Sequence, residues 1–416
     1  MNILLKKATI IDPKGDFHLK EVDVFISDGQ IEKIGTNLSL QVDKIISIEK
    51  LHLSVGWFDS SVCFGEPGFE ERETLDNGLK TAALSGFTDL GLEPVTSPYT
   101  ATQSAVVQLK KYKSHYPTAL HPIASFTQQQ AGENLTEFFD LQSHGAIAFG
   151  DFLRPIKNPE LLKTALLYAQ GFDGLILSTP FDNRIGGNLG VHEGEISTKL
   201  GLRGAPSLNE TLQIQRDLHI LAYTGGKLHI PCISTAKSVA LIREGKKSGL
   251  QVSCSVALAN ICYTDSQLIG FDTTTKLHPP LRTSEDCEAL KEGLLDGTID
   301  MITSHHQPLN PELKRLEFEY AECGTIGLEA MFGVLNTLFP LEKTIHLLSR
   351  GRSIFGLEEP KIAEGEKANI TLFTPHPSST IEKEHLYSSN HNCIFLGHKT
   401  QGKVVGIIRE DNHLLK

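Results

Sequence analysis

The chain has 416 residues, 40% of them hydrophobic, which is enough to bury one large core together with a smaller accessory unit. Its formal net charge of -11 argues against a surface that binds nucleic acid or an anionic membrane, since both need clustered Lys and Arg. No apolar run approaches the roughly 20 residues that span a bilayer. Seven scattered cysteines without Cys-x-x-Cys spacing indicate reduced thiols in a cytoplasmic protein.

Short apolar or alternating runs at both ends of the chain predict strands. One lies at residues 22–26 near the N-terminus and another at residues 368–373 near the C-terminus, and turn signals separate such runs. Strand-rich ends around a different middle predict a single composite β-sandwich, built from residues 1–54 and 364–416.

The middle of the chain repeats a helix followed by a short apolar strand. Examples are a helix predicted over 75–84 before a strand over 86–92, and a helix over 212–224 before a strand over 227–230. Such units predict a parallel sheet, and this length favours a closed (β/α)8 barrel over residues 55–363 rather than an open sheet. The absence of a Gly-x-Gly-x-x-Gly segment after a strand argues against dinucleotide binding.

The first strand of this predicted barrel carries the segment Gly56-Trp57-Phe58-Asp59-Ser60-Ser61-Val62-Cys63-Phe64-Gly65-Glu66-Pro67-Gly68. It resembles the first-strand signature of class I dihydroorotases and their cyclic-amidohydrolase relatives, Gly-Phe-Ile-Asp-x-His-x-His-x-Arg-Glu-Pro-Gly. Alternate residues of a strand point to the same side, so a His-x-His pair directs two imidazoles at one metal ion. Ser61 and Cys63 hold those two positions here, and Gly65 replaces the substrate-binding arginine.

The resemblance extends along nearly the whole chain. Further segments similar to the family are residues 193–204, 228–236, 276–282 and 324–329. The likeness implies an amidohydrolase barrel with a β-sandwich. In active relatives it implies one or two divalent metals such as zinc, a bridging hydroxide and an acid/base aspartate at the carboxyl ends of the strands.

The resemblance also assigns the remaining metal-binding positions. The fifth-strand histidine of the family falls on Thr179, or on Ser178 if the alignment shifts by one residue, and the sixth-strand histidine becomes Cys232. Asp151 still stands where the family has an aspartate ligand. A zinc site is therefore not expected, although thiols at two ligand positions leave open an altered metal site.

The catalytic and substrate-binding positions of the family have changed as well. The acid/base aspartate becomes Ser304, and the substrate-binding amides become Val95, in the segment 93–96, and His278. The donors that would hold a carboxylate in a desolvated pocket are thus missing. His305 aligns with a histidine beside the family's aspartate and is the candidate for contact with a ligand.

Three classes of function follow from these observations. The favoured one is a non-catalytic dihydroorotase homologue in pyrimidine biosynthesis that needs no cofactor and acts as a binding or scaffolding partner. Inactive relatives can associate with aspartate carbamoyltransferase, and the resemblance further implies a homodimer. The alternatives are an active cyclic-amide hydrolase with an altered metal or cysteine site, and a small-molecule-binding protein. The sequence assigns no general base to Cys63 or Cys232.

Overall fold

A computed structural model describes residues 1–186 and 190–416 of the chain. Its strands are, in chain order, β1 (Ile3–Ile11), β2 (Glu21–Ser27), β3 (Gln30–Gly35), β4 (Lys44–Ile46), β5 (His52–Val55), β6 (Trp57–Val62), β7 (Phe87–Leu92), β8 (Ala119–Pro122), β9 (Leu175–Leu177), β10 (Lys227–Ile230), β11 (Val252–Ala257), β12 (Met301–Thr303), β13 (Asn369–Thr380), β14 (Lys399–Arg409) and β15 (Asn412–Leu415). Its α-helices are α1 (Leu75–Leu84), α2 (Gln103–Lys110), α3 (Phe138–Ser143), α4 (Pro159–Ala169), α5 (Glu195–Leu200), α6 (Ser207–Thr224), α7 (Ala236–Lys247), α8 (Leu258–Cys262), α9 (Ser284–Asp296), α10 (Pro311–Lys314), α11 (Met331–Leu338), α12 (Leu341–Ser349) and α13 (Gly351–Ile354). Within the described ranges, none of these helices has the length and apolar character needed to cross a membrane.

The two ends of the chain meet in one mixed sheet. β1 pairs antiparallel with β2 and parallel with β5, and β13 pairs antiparallel with β5 before β14 and β15 extend the sheet. Its buried apolar cluster draws on both ends, with Leu5, Val24 and Leu53 packed together with Ile370 and Leu372. The strands predicted at the two termini therefore share one core.

The parallel strands of the middle close into a ring. β6, β7 and β8 form one run of neighbours, and β9 to β12 form another. Phe149 bridges the gap between the runs by pairing with Ala124 and with Ile176, while Val62 at the end of β6 pairs with His306 just after β12. Because every pairing is parallel, the carboxyl ends of the strands meet at one rim, where residues distant in sequence become neighbours.

Helices cover the outside of the ring. The helix predicted over 75–84 is found with those bounds as α1, whereas the helix predicted over 212–224 begins earlier, at Ser207. The first turn of α6 contains the polar residues Asn209 and Glu210, both buried, so the apolar periodicity does not mark it. Tertiary hydrogen-bond partners therefore extend this helix beyond its hydrophobic pattern.

Trp57 joins the ring to the terminal sheet. Its side chain is fully buried, and its ring centroid lies 5.1 Å from that of Phe332, 5.8 Å from that of Phe373 in β13 and 6.0 Å from that of Phe87. The indole Nε1 donates a hydrogen bond of 2.9 Å to Ser54 Oγ, so its one polar atom is satisfied. Aromatic pairs of this kind add about 0.5–1.5 kcal/mol each beyond the area they bury.

Candidate functional site

A cavity opens at the rim where the strands of the ring end. Apolar walls come from Phe152, Leu177, Phe181 and Pro231. The polar side chains that line it are Ser61, Glu93, Thr179, Asn209, Glu210, Cys232, His278, Arg282 and His305.

The structure divides the residues singled out from the sequence into two groups. Those that line the cavity are Ser61, Thr179, Cys232, His278 and His305. Among the described residues, those that are not part of its lining are Cys63, Gly65, Val95, Asp151 and Ser304. Half of these positions thus meet in one place, and the other half lie outside the cavity lining.

Ser61 is the centre of a hydrogen-bonded chain across the cavity. Its Oγ lies 2.8 Å from Glu93 Oε1 and 3.1 Å from His305 Nδ1. His305 Nε2 lies 3.0 Å from the carbonyl oxygen of His278, which can only accept, so Nε2 carries the proton and Nδ1 is the acceptor. One hydroxyl hydrogen cannot serve both neighbours of Ser61. When it points to His305, the Glu93 carboxyl must itself be protonated.

The electrostatics of the cavity lead to the same protonation state. Burial, reinforced by the charge of Asp59, raises the pKa of Glu93 to about 8. Burial lowers the pKa of His305 to about 4. Both shifts favour the uncharged form of the side chain, and the chain through Ser61 connects groups that can satisfy one another's hydrogen bonds.

Cys232 forms a thiol–imidazole contact in the same cavity. Its Sγ lies 3.5 Å from His305 Nδ1, and burial raises the pKa of the thiol well above its usual value. Cys232, His305 and Phe152 all adopt left-handed backbone conformations, with φ of 52°, 48° and 51°. Non-glycine residues pay of order 1–3 kcal/mol for this, a cost that concentrates at functional sites. The sequence did not indicate this contact, and because Nδ1 has one lone pair it accepts a hydrogen bond from either Ser61 or Cys232.

Asp59 and Cys63 lie behind the cavity wall. Asp59 Oδ1 accepts hydrogen bonds from Ser61 N at 3.0 Å and from Thr303 Oγ1 at 2.5 Å, and its Oδ2 accepts one from Ser304 N at 2.8 Å. This carboxylate therefore joins β6 to the end of β12. The Oγ of Ser304 is buried and has no hydrogen-bond partner within the described part of the chain. Burial raises the pKa of the Cys63 thiol well above its usual value.

Both carboxylate oxygens of Asp151, the retained aspartate, accept hydrogen bonds from residues 126 and 127. Its Oδ1 accepts hydrogen bonds from Phe126 N at 2.8 Å and from Thr127 N at 3.1 Å, and its Oδ2 accepts one from Thr127 Oγ1 at 2.5 Å. The fifth-strand position is occupied by Thr179, whose hydroxyl donates to the carbonyl of Phe152. Ser178 instead donates to Asp217 Oδ2 at 2.6 Å, away from the cavity.

The two substrate positions that follow β6 and β7 are also changed. A Cβ atom at Gly65 would lie 1.6 Å from the carbonyl oxygen of Phe69, so this backbone admits no side chain there, and arginine is excluded. Val95 is half-buried outside the cavity lining. Glu93, two residues earlier in the same segment, is the residue that faces the cavity. A carboxylate directly after β7, whose residues are all buried, is the signal that would have identified it.

Arg282 provides the cationic group in the lining, but its donors are already engaged. Its Nε donates to Ser234 Oγ at 3.0 Å, its Nη1 to Ala205 O at 3.1 Å, and its Nη2 lies 3.5 Å from Glu210 Oε2. Nη1 also lies 3.0 Å from His192 Nδ1. The guanidinium thus holds surrounding loops together and does not replace the missing carboxylate clamp.

The residues at the family's ligand positions do not fit a zinc ion. Zinc takes thiolates, neutral imidazoles and carboxylates. These positions instead hold two hydroxyls and two thiols, and burial raises the pKa of each thiol. The one carboxylate among them accepts a hydrogen bond from Thr127. Across residues 1–186 and 190–416, no three His, Cys, Asp or Glu side chains are grouped so that they could hold a metal ion.

The fold matches solved structures named hydantoinase and dihydropyrimidinase. An L-hydantoinase (dihydropyrimidinase) from Arthrobacter aurescens has a TM-score of 0.85 at 18% identity, over 100% of this chain and 96% of that one. A dihydropyrimidinase from Brevibacillus agri NCHU1002 has a TM-score of 0.82 at 19% identity, over 100% and 95% of the two chains. At this identity the likeness defines the class of fold, an amidohydrolase fold.

Proteins similar in sequence identify the family to which the chain belongs. A family model described as dihydro-orotase-like matches residues 51–238. A dihydroorotase from Pelotomaculum thermopropionicum is 34% identical over 409 residues, which cover 97% of this chain and 96% of the relative. One from Caldicellulosiruptor saccharolyticus is 35% identical over 405 residues, or 95% and 94%. The chain therefore belongs to the dihydroorotase-like family, as its resemblance predicted.

Proposed function

We propose that this chain is a cytoplasmic protein of pyrimidine biosynthesis that lacks metal-dependent hydrolase activity and acts as a binding or scaffolding partner. The observation that carries the proposal is the hydrogen-bonded chain Glu93–Ser61–His305, in which a serine stands at one of the positions where the resemblance places a metal-binding histidine. A hydrolytic metal site needs anionic or free nitrogen ligands to lower the pKa of bound water. Here hydroxyls hold two of the ligand positions, burial favours the protonated form of the Glu93 carboxyl, and the imidazole Nδ1 lies within hydrogen-bond distance of Ser61 Oγ. The seven free cysteines support a reducing compartment.

The proposal includes the architecture of the family. Residues 55–363 form the (β/α)8 barrel, and residues 1–54 and 364–416 form the composite β-sandwich. The closed ring of parallel pairings supports the barrel, and the sheet shared by both termini supports the composite domain.

The activity is tested on the purified protein beside the dihydroorotase from P. thermopropionicum. We expect kcat/KM for dihydroorotate to be lower by about 10³-fold or more, because an acid/base group alone contributes roughly 10²–10⁴-fold. Elemental analysis is expected to find zinc far below one equivalent per chain. Turnover near that of the relative, abolished by a chelator, would contradict the proposal and indicate an altered metal site.

A cysteine-dependent hydrolase is the second candidate, favoured by the contact between Cys232 Sγ and His305 Nδ1. In that reaction sulfur bonds to the amide carbonyl carbon, the thiol proton passes to Nδ1 and on to the leaving nitrogen, and water then releases the acyl group. Turnover that resists a chelator and is lost in Cys232→Ser and His305→Gln would establish this route. Cys63→Ser is the matched control because that thiol lies outside the cavity lining.

Aspartate carbamoyltransferase is the proposed partner, and the family relationship supports this choice. Sedimentation velocity of the two purified proteins from the same organism, alone and mixed, is expected to show a faster complex that contains both. An unrelated protein of similar net charge serves as the control. Independent sedimentation at concentrations well above the micromolar range would remove this partner from the proposal.

A further inference from the structure

A second cavity lies between the ring and the terminal sheet, and it shares no lining residue with the cavity at the rim. The buried and half-buried polar side chains that line it are Asp89, His121, Arg352, Asn369 and Arg409. It lies near the amino end of β6, because Arg352 Nε donates a hydrogen bond of 3.1 Å to the carbonyl oxygen of Gly56, the residue before that strand. We call it the junction cavity.

Asp89 is the buried carboxylate of the junction cavity, and side chains of the protein already use both of its oxygens. Its Oδ1 accepts a hydrogen bond of 2.8 Å from His121 Nε2. Its Oδ2 accepts hydrogen bonds from Arg352 Nη2 and, at 2.8 Å, from Thr88 Oγ1. Although burial opposes the shift, the charge of Arg352 and the hydrogen bond from His121 hold the pKa of Asp89 well below its usual range. Asp89 is therefore ionised and has its hydrogen-bond donors within the protein.

Arg409 faces the same cavity without such partners. It lies directly opposite Asn369 in the pairing of β13 with β14. Its Nη2 is 3.7 Å from Asp89 Oδ1, which is beyond hydrogen-bond distance. Its Nε is buried and has no hydrogen-bond partner within residues 1–186 and 190–416. A buried donor on a charged group is costly to leave unpaired, so this guanidinium is suited to an acceptor from outside the chain.

The charges around Asp89 do not balance. Arg352 and Arg409 each carry one positive charge, and Lys110, whose Nζ lies 3.1 Å from His121 Nδ1, adds another. Burial lowers the pKa of Lys110, and the charge of Arg409 lowers it further, while Asp89 opposes both effects. One carboxylate thus stands against three cationic groups, and the surplus is positive.

The carboxylates at the outer edge of the junction cavity do not cancel this surplus. They are the exposed side chains of Glu358, Glu359, Glu366 and Glu410. Glu359 pairs with Lys14 at 2.5 Å, and Glu410 pairs with Lys367 at 3.7 Å. Solvent and salt screen exposed charges more strongly than buried ones, so the inner cations dominate within the cavity.

We propose that the junction cavity binds a small oxyanion, a phosphate or carboxylate group, with Arg409 as its main donor. A guanidinium is a planar fork of N–H donors that can bind either group through two parallel hydrogen bonds. Arg352 and Lys110 add positive charge beside it. The proposal does not depend on the hydrogen-bonded chain at the rim, so it can fail or hold whatever the activity of the protein.

Isothermal titration calorimetry of the full chain at low ionic strength tests the site, with inorganic phosphate in one series and acetate in another. We expect saturable binding of one anion per chain, and the anion that binds more tightly identifies the chemical group. Arg409→Gln is expected to weaken binding about 10-fold or more, because charge-assisted hydrogen bonds are lost. Arg243→Gln is the matched control, since Arg243 Nε already donates to Thr298 and its Nη2 pairs with Asp296. That variant is expected to bind as the wild type does.

Urea unfolding separates loss of the site from loss of the fold. An anion that binds the folded chain raises the unfolding midpoint, and we expect the tighter anion to do so in the wild type and in Arg243→Gln but not in Arg409→Gln. Arg409→Lys keeps the charge without the planar fork and is expected to bind with intermediate affinity; it also provides the comparison if Arg409→Gln does not fold. Absence of saturable binding of either anion at about 10 mM, or equal weakening in Arg409→Gln and Arg243→Gln, would overturn the proposal. Wild-type affinity in Arg409→Lys would overturn the role of the fork.

Discussion

Replacing Glu93 with glutamine is expected to stabilise the protein at pH 8 while changing its stability little near pH 4.5. Burial raises the pKa of Glu93 from 4.5 to about 8, so between these values the folded state holds a proton that the unfolded state has lost. The stability contributed by this proton is fully present below pH 4.5 and is lost as the pH rises through about 8. Glutamine is uncharged at every pH, and its side-chain carbonyl oxygen can accept the hydrogen bond that Ser61 Oγ donates to Glu93.

The expected gain at pH 8 is on the order of a few kcal/mol, because one pKa unit corresponds to about 1.4 kcal/mol. Urea unfolding of both proteins from pH 5 to pH 9 measures it, and the two stability curves should diverge as the pH rises. Glu133→Gln makes the same chemical change on an exposed side chain and should follow the wild type. Parallel curves for Glu93→Gln and the wild type would show that Glu93 is ionised in the folded protein.

Gly65→Ala is expected to destabilise the protein by about 3 kcal/mol or more, since the loop must move to accommodate one methyl group. The added Cβ would lie 1.6 Å from the backbone carbonyl oxygen of Phe69. The backbone N–H of Phe69 donates a hydrogen bond of 2.9 Å to the carbonyl oxygen of Gly65, which holds the two residues close together. Gly171→Ala is the control because an added Cβ there meets no atom within 4 Å. We expect that variant to remain within about 0.5 kcal/mol of the wild type.

Urea unfolding of the two glycine variants measures this difference, and equal stabilities would show that the loop around Gly65 yields without cost. The result bears on function as well. If even a methyl group is rejected, the family's arginine cannot be restored at this position by a single substitution. The chain would then depart from the family's substrate-binding pattern in two ways: in the backbone conformation between Gly65 and Glu73, and in the side chain at position 65.

The amino-acid sequence by itself was sufficient for the features that depend on local pattern and residue identity. The apolar periodicity predicted α1 with its bounds, and the segment from Gly56 to Gly68 led to the family that the relatives support. The same segment showed serine and cysteine at 61 and 63, where the family has histidines. Such features can be predicted from the sequence because each is encoded within a few consecutive residues.

Only the tertiary structure decided which of these residues meet. Ser61 and Glu93 are 32 positions apart, and Cys232 and His305 are 73 apart, so their contacts exist only because the ring brings the carboxyl ends of its strands together. The start of α6 depends in the same way on Glu210, whose hydrogen-bond partner Ser234 lies after β10. Burial by distant residues also sets the protonation of Glu93, because desolvation depends on everything packed around a carboxyl and a linear pattern contains no measure of it.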